Sequence, residues 1–583
     1  MFRFLLLAAS IFTLQVASAL DIDPDYYIYP VEGVARLYSA NFGELRPDHF
    51  HSGVDIKTDG VEGKSVVAVA DGYVSRLGLS PSGYGLALYV THPNGTTSVY
   101  GHLSRFRDDI AKRVLAERYA TKQHSVSLFF TPEEFPVKQG ERIAYSGNSG
   151  SSSGPHLHYE IRESATQRPI NIIARGVIKP RDTRRPIFFK LHYIEVDTLD
   201  GVAYQAPRRT YTLLNPSTGQ YQINVPGNEI PVGRNGYFIA EVSDRKDDVT
   251  NTFGIHSLEG EIDGSTFFKY QMDGFSFDNT RYVNGVSCYA LKLGSRNEIV
   301  RMAQLECGTS QFYPIIEERG VIKCDSAQRR EVVIRAVDDC ALVATLKFSI
   351  VGKRDSFVAS VDESKTIIRA TKPFTHSQEG LKVEIPARAL YESIPFSTKV
   401  LSAQKFEIDS TVMVASDVYQ ILCDSIPLHK SMTVSIDVDL TPEQQQRAII
   451  AKISRWGKGF SVGGKYQDST MTLNTRSVGR YFVAIDTTPP VIKANFVDGT
   501  DLSTQKSLSF TVSDNFSGVA KYNATINGEW VALELSKGRL KHDIIPSMGY
   551  MKRSDNIHTI KLEVVDGCGN VSTIERKFVY GGM

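Results

Sequence analysis

Two short segments place metal-binding side chains at spacings that could do chemistry. His51-Ser52-Gly53-Val54-Asp55 is an H-x-G-x-D, and His156-Leu157-His158 is an H-x-H. Seven of the 13 histidines fall between residues 49 and 158: His49, His51, His92, His102, His124, His156 and His158. The first cysteine is Cys288, so a metal site in this region must draw on imidazoles and carboxylates. Two residues apart on a strand is about 6.6–7 Å, close enough for two imidazoles to converge on one small site. Both histidines of the H-x-H could ligate a metal, or one could ligate while the other handles bound water. Two His and one Asp match the three protein ligands of a catalytic zinc, whose fourth position is left to water. Zinc lowers the pKa of that water from about 15.7 towards 7 and polarises a carbonyl, which points to amide hydrolysis.

The surrounding sequence supplies elements to hold these residues. From His156 to Arg162, period two puts His156, His158, Glu160 and Arg162 on one face, and Leu157, Tyr159 and Ile161 on the other. That pattern predicts a half-buried strand with a polar working face. Glu160 and Arg162 are expected to lie beyond the site, as strand-end polarity. Leu86 to His92 and Thr97 to Leu103 read as two strands of a hairpin closed by Asn94-Gly95. His102 ends the second strand and could face the same site. His49 and His92 are expected to be structural, and His124 exposed.

These residues together resemble the lysostaphin/LytM-type zinc metallopeptidases. The resemblance rests on His51/Asp55, Tyr100-Gly101-His102-Leu103 and Gly154-Pro155-His156-Leu157-His158, in that order. Val67 to Val74, Gly83-Tyr84-Gly85, Val137 to Glu141 and the Ser146–Ser153 loop support it. It covers roughly residues 40–163 and implies one zinc per chain, held by His51, Asp55 and His158. It also implies His156 and His102 as the catalytic pair, a small antiparallel β domain, and peptidoglycan stem peptides and cross-bridges as substrate. The segment 104–136 is longer than the family link. Asp108 would cap a helix there with Ile110, Val114 and Leu115 on one face, forming either a groove wall or a peripheral insertion.

The first residues read as an address. Arg3, the apolar run Phe4–Leu14 and Ala17-Ser18-Ala19 form a secretory signal cut after Ala19, with no later transmembrane stretch. The expected location is therefore exported: periplasm, cell envelope or secreted. Export permits disulfides. The six cysteines allow full pairing, and four lie in 288–340, so one or two bridges are expected there. Lys+Arg of 66 against Asp+Glu of 65 argues against a nucleic-acid partner.

The expected fold class is mainly β: a small antiparallel metallopeptidase domain (20–175, with the insertion 104–136) followed by β-sandwich modules. The boundaries expected for these are 187–350 (with an insertion), 351–486 and 487–583, the last immunoglobulin-like. Glu241-Val242-Ser243-Asp244 is echoed by Thr511-Val512-Ser513-Asp514, and Val337-Asp338-Asp339-Cys340 by Val565-Asp566-Gly567-Cys568. These modules are expected to act as spacers with weak binding to envelope partners. The leading function is an exported zinc endopeptidase cleaving peptidoglycan cross-links. The alternatives are a catalytically silent murein-binding activator or scaffold, and a protease of extracellular proteins. Residues 20–46 could also cover the groove.

Overall fold

The computed structural model describes residues 22–360, 362, 364–552 and 554–581. The secretory signal read in residues 1–19 lies outside them. The chain is 47% strand and 9% helix, a small β domain followed by further β modules. No helix among the described residues is long and apolar enough to cross a membrane.

The site-bearing domain is built from eleven strands and one helix. In chain order these are β1 (Tyr38–Ala40), β2 (Val54–Lys57), β3 (Ser65–Val67), β4 (Gly72–Leu79), β5 (Leu86–Thr91) and β6 (Thr96–Leu103), then β7 (Arg105–Phe106), α1 (Asp108–Thr121), β8 (Val126–Phe129), β9 (Pro136–Val137), β10 (Arg142–Tyr145) and β11 (His156–Glu163). The main sheet runs β1-β2-β11-β6-β5-β4-β8, with β9 also on β4, and β3-β10-β7 form a second small sheet. The β5–β6 hairpin closes at Gly95, whose φ of 81° only glycine adopts freely. Val74, Leu88, Tyr100, Leu157, Ile161 and, from the second sheet, Val66 and Ile143 share one apolar core. Strand β11 lies between β2 and β6. This order brings the H-x-G-x-D strand, the H-x-H strand and the His102 strand side by side.

Residues 22–46 do not serve as a removable cover. Ile22, Tyr27, Val31 and Tyr38 belong to the domain's own core. Phe42 and Leu45, followed by Phe50, are buried in the core of the next module beside Leu258, Phe275 and Phe312. That module holds a thirteen-stranded sheet beginning at Ile187–Leu199. The sheet folds back on itself, so that Phe238 and Phe348, from strands well separated in its order, meet at 5.3 Å. Five- and six-stranded sheets follow between 374 and 485, then four- and five-stranded sheets between 491 and 579.

The expected disulfides in 288–340 do not form; all six cysteines are free thiols. The cause is placement. Cys288, Cys307 and Cys324 are buried in three different apolar clusters, and Cys340 packs against a fourth. The repeated sequence phrases do occupy related positions. Asp244 and Asp182 hold the buried Lys246 ammonium at 3.3 and 3.1 Å, with Asp338 adding negative charge nearby. In the last module, Asp514 and Asp566 gather with Asp486.

Candidate metal centre

Three potential ligand atoms converge where β2 meets β11. Asp55 pairs with His158 across the two strands, and its Oδ1 lies 2.9 Å from His158 Nδ1. His51, at the end of the preceding loop, places Nε2 3.2 Å from Asp55 Oδ1 and 3.2 Å from His158 Nδ1. Zinc with tetrahedral bonds of 2.0–2.1 Å spaces its ligands about 3.3 Å apart. The triangle fits such an ion. The far nitrogens are also spoken for: His51 Nδ1 donates to the Asn41 carbonyl at 2.7 Å, and His158 Nε2 meets Glu160 Oε1 at 2.7 Å. These bonds fix the tautomers that leave His51 Nε2 and His158 Nδ1 free to ligate. The glycine of the H-x-G-x-D is required by close packing: a Cβ on Gly53 would lie 2.5 Å from the Tyr159 carbonyl and 2.9 Å from His158 Cε1.

Burial and charge are balanced through Glu160. Contrary to the sequence expectation, Glu160 does not lie beyond the site. It is 1% exposed and accepts from Ser52 Oγ (2.8 Å), Tyr84 OH (2.7 Å) and Arg162 Nε (2.6 Å) as well as bonding His158. From His158 to Arg162 the polar face of β11 is therefore buried, while His156 at its start is partly open. Burial alone would raise the Glu160 carboxyl, but Arg162 and His158 hold it far below the usual carboxylate range. Asp55 shows the same balance: burial opposes ionisation, while His51, His156 and His158 hold its carboxyl well below the ordinary range. Burial disfavours the His158 cation, yet the bonds to Asp55 and Glu160 push its pKa up to about 9. The site is thus built to hold a positive charge between two carboxylates.

His156 and His102 flank this triangle. His156 Nδ1 donates to the Gly154 carbonyl at 2.8 Å, and Nε2 lies 3.6 Å from Asp55 Oδ1. His102 Nδ1 donates to the Ser149 carbonyl at 2.8 Å. The two rings are 4.8 Å apart, and His102 lies 5.9 Å from His158. His102 has φ of 58°, a left-handed conformation unusual for a non-glycine residue and concentrated at functional sites. In both rings Nε2 is left without a backbone partner, and burial, with His158 and His156 nearby, lowers the His102 pKa to about 4, so that ring is neutral. All five residues singled out from sequence are therefore brought together.

The other histidines fall elsewhere. His49 pairs with Asp48 on the surface. His92 is locked between the Asp71 carbonyl and Ser98 Oγ, and burial lowers its pKa. His124, expected to be exposed, is instead half-buried against the last module, where its Nδ1 accepts from Leu533 N–H at 3.0 Å.

The loop carrying His51 is fixed from outside its own domain. The Asn41 amide exchanges two hydrogen bonds with the Gly254 backbone and also donates to Asp339. Glu298 accepts from Leu45 N–H, and Thr280 Oγ1 accepts from Phe50 N–H. Sequence gave no signal of this, because its partners lie more than 200 residues away.

Comparison with known proteins agrees with this geometry. Residues 49–119 and 119–172 match Peptidase family M23, and residues 365–486 match the Zu5-like domain. The chain is 36% identical over 141 residues to an uncharacterized metalloprotease of Haemophilus influenzae, spanning 23% of this chain and 24% of that one. It is 31% identical over 134 residues to the DD-carboxypeptidase/endopeptidase Mpg of Neisseria meningitidis, again 23% and 24%. The match thus spans about a quarter of the length of these curated relatives. The catalytic domain of the antimicrobial peptidase lysostaphin from Staphylococcus simulans aligns at 22% identity and TM-score 0.16, covering 24% of this chain and 82% of that one.

Proposed function

Because the chain carries a Peptidase family M23 domain, we propose that it is an exported zinc metalloendopeptidase that hydrolyses peptide cross-links of peptidoglycan. The observation that carries this reading is the triangle of His51 Nε2, Asp55 Oδ1 and His158 Nδ1, with His102 and His156 beside it. His51, Asp55 and His158 would hold the ion. When bound, zinc supplies Lewis-acid polarisation of the amide carbonyl and acidifies the attacking water. His156 and His102, each with Nδ1–H committed to a backbone carbonyl, offer Nε2 as proton acceptor. One takes the proton of the attacking water, and the other, once protonated, gives its proton to the departing amine. Glu160 keeps His158 oriented, and Arg162 keeps Glu160 ionised.

Metal analysis and digestion of purified peptidoglycan by the full chain test this reading. About one zinc per chain and release of uncross-linked muropeptides are expected, with both lost in His158→Ala. Zinc retained without any release would remove peptidoglycan as the substrate. Absence of bound zinc in the wild type would overturn the assignment of the centre.

A further inference from the structure

A cavity of about 480 Å³ opens beside the centre, lined by Asp55 and His156 together with Lys57, Arg46, Ser39 and Asn251. Lys57 stands two residues after Asp55 on β2, and the intervening Ile56 is fully buried, so Asp55 and Lys57 share the outward face. It lies directly opposite His156 in the β2–β11 ladder. Residues so paired have Cβ atoms about 4.5–5.5 Å apart. The Lys57 side chain thereby starts next to one of the two histidines proposed to move protons, and both residues line the cavity.

The charge around this cavity is not balanced from within. Lys64 neutralises Asp59 at 2.8 Å, and Arg46 Nη2 pairs with Glu44 at 2.7 Å. Asp55 is committed to its three histidines. The Lys57 backbone N–H donates to the Leu37 carbonyl at 2.9 Å, but among the described residues its ammonium has neither a hydrogen bond nor an ion pair. Arg46 also retains a buried Nε–H with no acceptor. An ammonium without a partner, on a cavity that Arg46 also lines, calls for an anionic acceptor from outside the chain. In a peptide substrate that acceptor is a carboxylate.

We propose that Lys57, with Arg46, binds a free carboxylate of the substrate next to the scissile amide, and that the site selects peptides carrying one. The inference rests on the hydrolase reading above and names the substrate chemistry that reading leaves open.

The test uses the zinc-loaded full chain, N-acetyl-D-alanyl-D-alanine and its C-terminal carboxamide. Binding of each is titrated calorimetrically, and cleavage of each is followed separately. The acid is expected to bind about tenfold or more tightly than the amide, the scale of one charge-assisted hydrogen bond. In Lys57→Met that preference disappears, with KM for the acid raised and kcat little changed, while Lys57→Arg restores it. Zinc content and thermal midpoint of Lys57→Met should match the wild type, which separates lost recognition from lost folding. Equal binding of acid and amide by the wild type would overturn the proposal. So would a preference that survives in Lys57→Met, since it would then come from the metal. If the acid is preferred through Lys57 but neither peptide nor peptidoglycan is cleaved, the hydrolase reading fails and the carboxylate site stands.

Discussion

Glu160 contributes no ligand atom, yet it holds the centre together. Its carboxylate is the meeting point of Ser52, Tyr84, His158 and Arg162. Glu160→Gln keeps the shape and removes the charge, so His158 loses the partner that fixes its tautomer. Zinc affinity, measured by competition with a chromophoric chelator, should fall about 10–100-fold. Unchanged affinity would reduce Glu160 to a packing residue. The strand period already placed Glu160 on the face of the two histidines. What it could not show was that this face is buried. Burial there depends on Tyr84 and Ser52, which lie 76 and 108 residues away in sequence. The group of His51, Asp55 and His158 was legible as candidate ligands because His51 to Asp55 and His156 to His158 are local patterns whose spacing alone constrains geometry.

At the level of elements, the loop from Asn41 to His51 belongs to two domains. Its ends lead into the metallopeptidase sheet, while Phe42, Leu45 and Phe50 sit in the next module's core, Phe50 at 4.8 Å from Phe312. The hairpin and the H-x-H strand could be read from alternation and the Asn-Gly turn. This loop could not, because three isolated apolar residues have no period, and their partners are set by tertiary packing. The arrangement makes the second module a structural part of the candidate metal centre. Asn41→Ala removes the amide that pairs with Gly254 and Asp339 and leaves their groups unmatched, at a cost of about 2–3 kcal/mol. The variant should therefore unfold at lower denaturant and, through the Asn41 carbonyl that accepts from His51, bind zinc more weakly. Lowered stability with zinc affinity unchanged would show that the loop holds its shape without the module.

Across the whole molecule, the insertion 104–136 links the first domain to the last. It packs on the side of its own domain, as a peripheral insertion would, and also reaches beyond it. Helix α1 buries Ile110 and Val114 against its own domain. Its far end then turns to the last module, where Arg118 donates to the Leu533 carbonyl at 2.8 Å and Tyr119 OH meets Tyr550 OH at 3.0 Å. His124 completes the contact. Its ring stacks on Tyr522 and Trp530, its Nδ1 accepts from Leu533 N–H, and its Nε2 donates to the Tyr522 carbonyl. Both nitrogens are used in the neutral form, and a second proton would cost the Leu533 bond. Burial accordingly lowers the His124 pKa from 6.5 to about 4. The sign follows: the undocked histidine binds a proton more readily than the docked one, so docking is at full strength above about pH 6.5 and weakens as pH falls from there to about 4. Nearby His542, whose pKa burial also lowers, adds to the trend with the same sign. Hydrogen exchange at Leu533, corrected for the intrinsic rate, should be slower at pH 7 than at pH 5. His124→Phe keeps the stacking but has no proton to gain, so it should narrow that difference. An equal difference in the variant would place the whole pH dependence on other groups and leave His124 as a stacking residue alone.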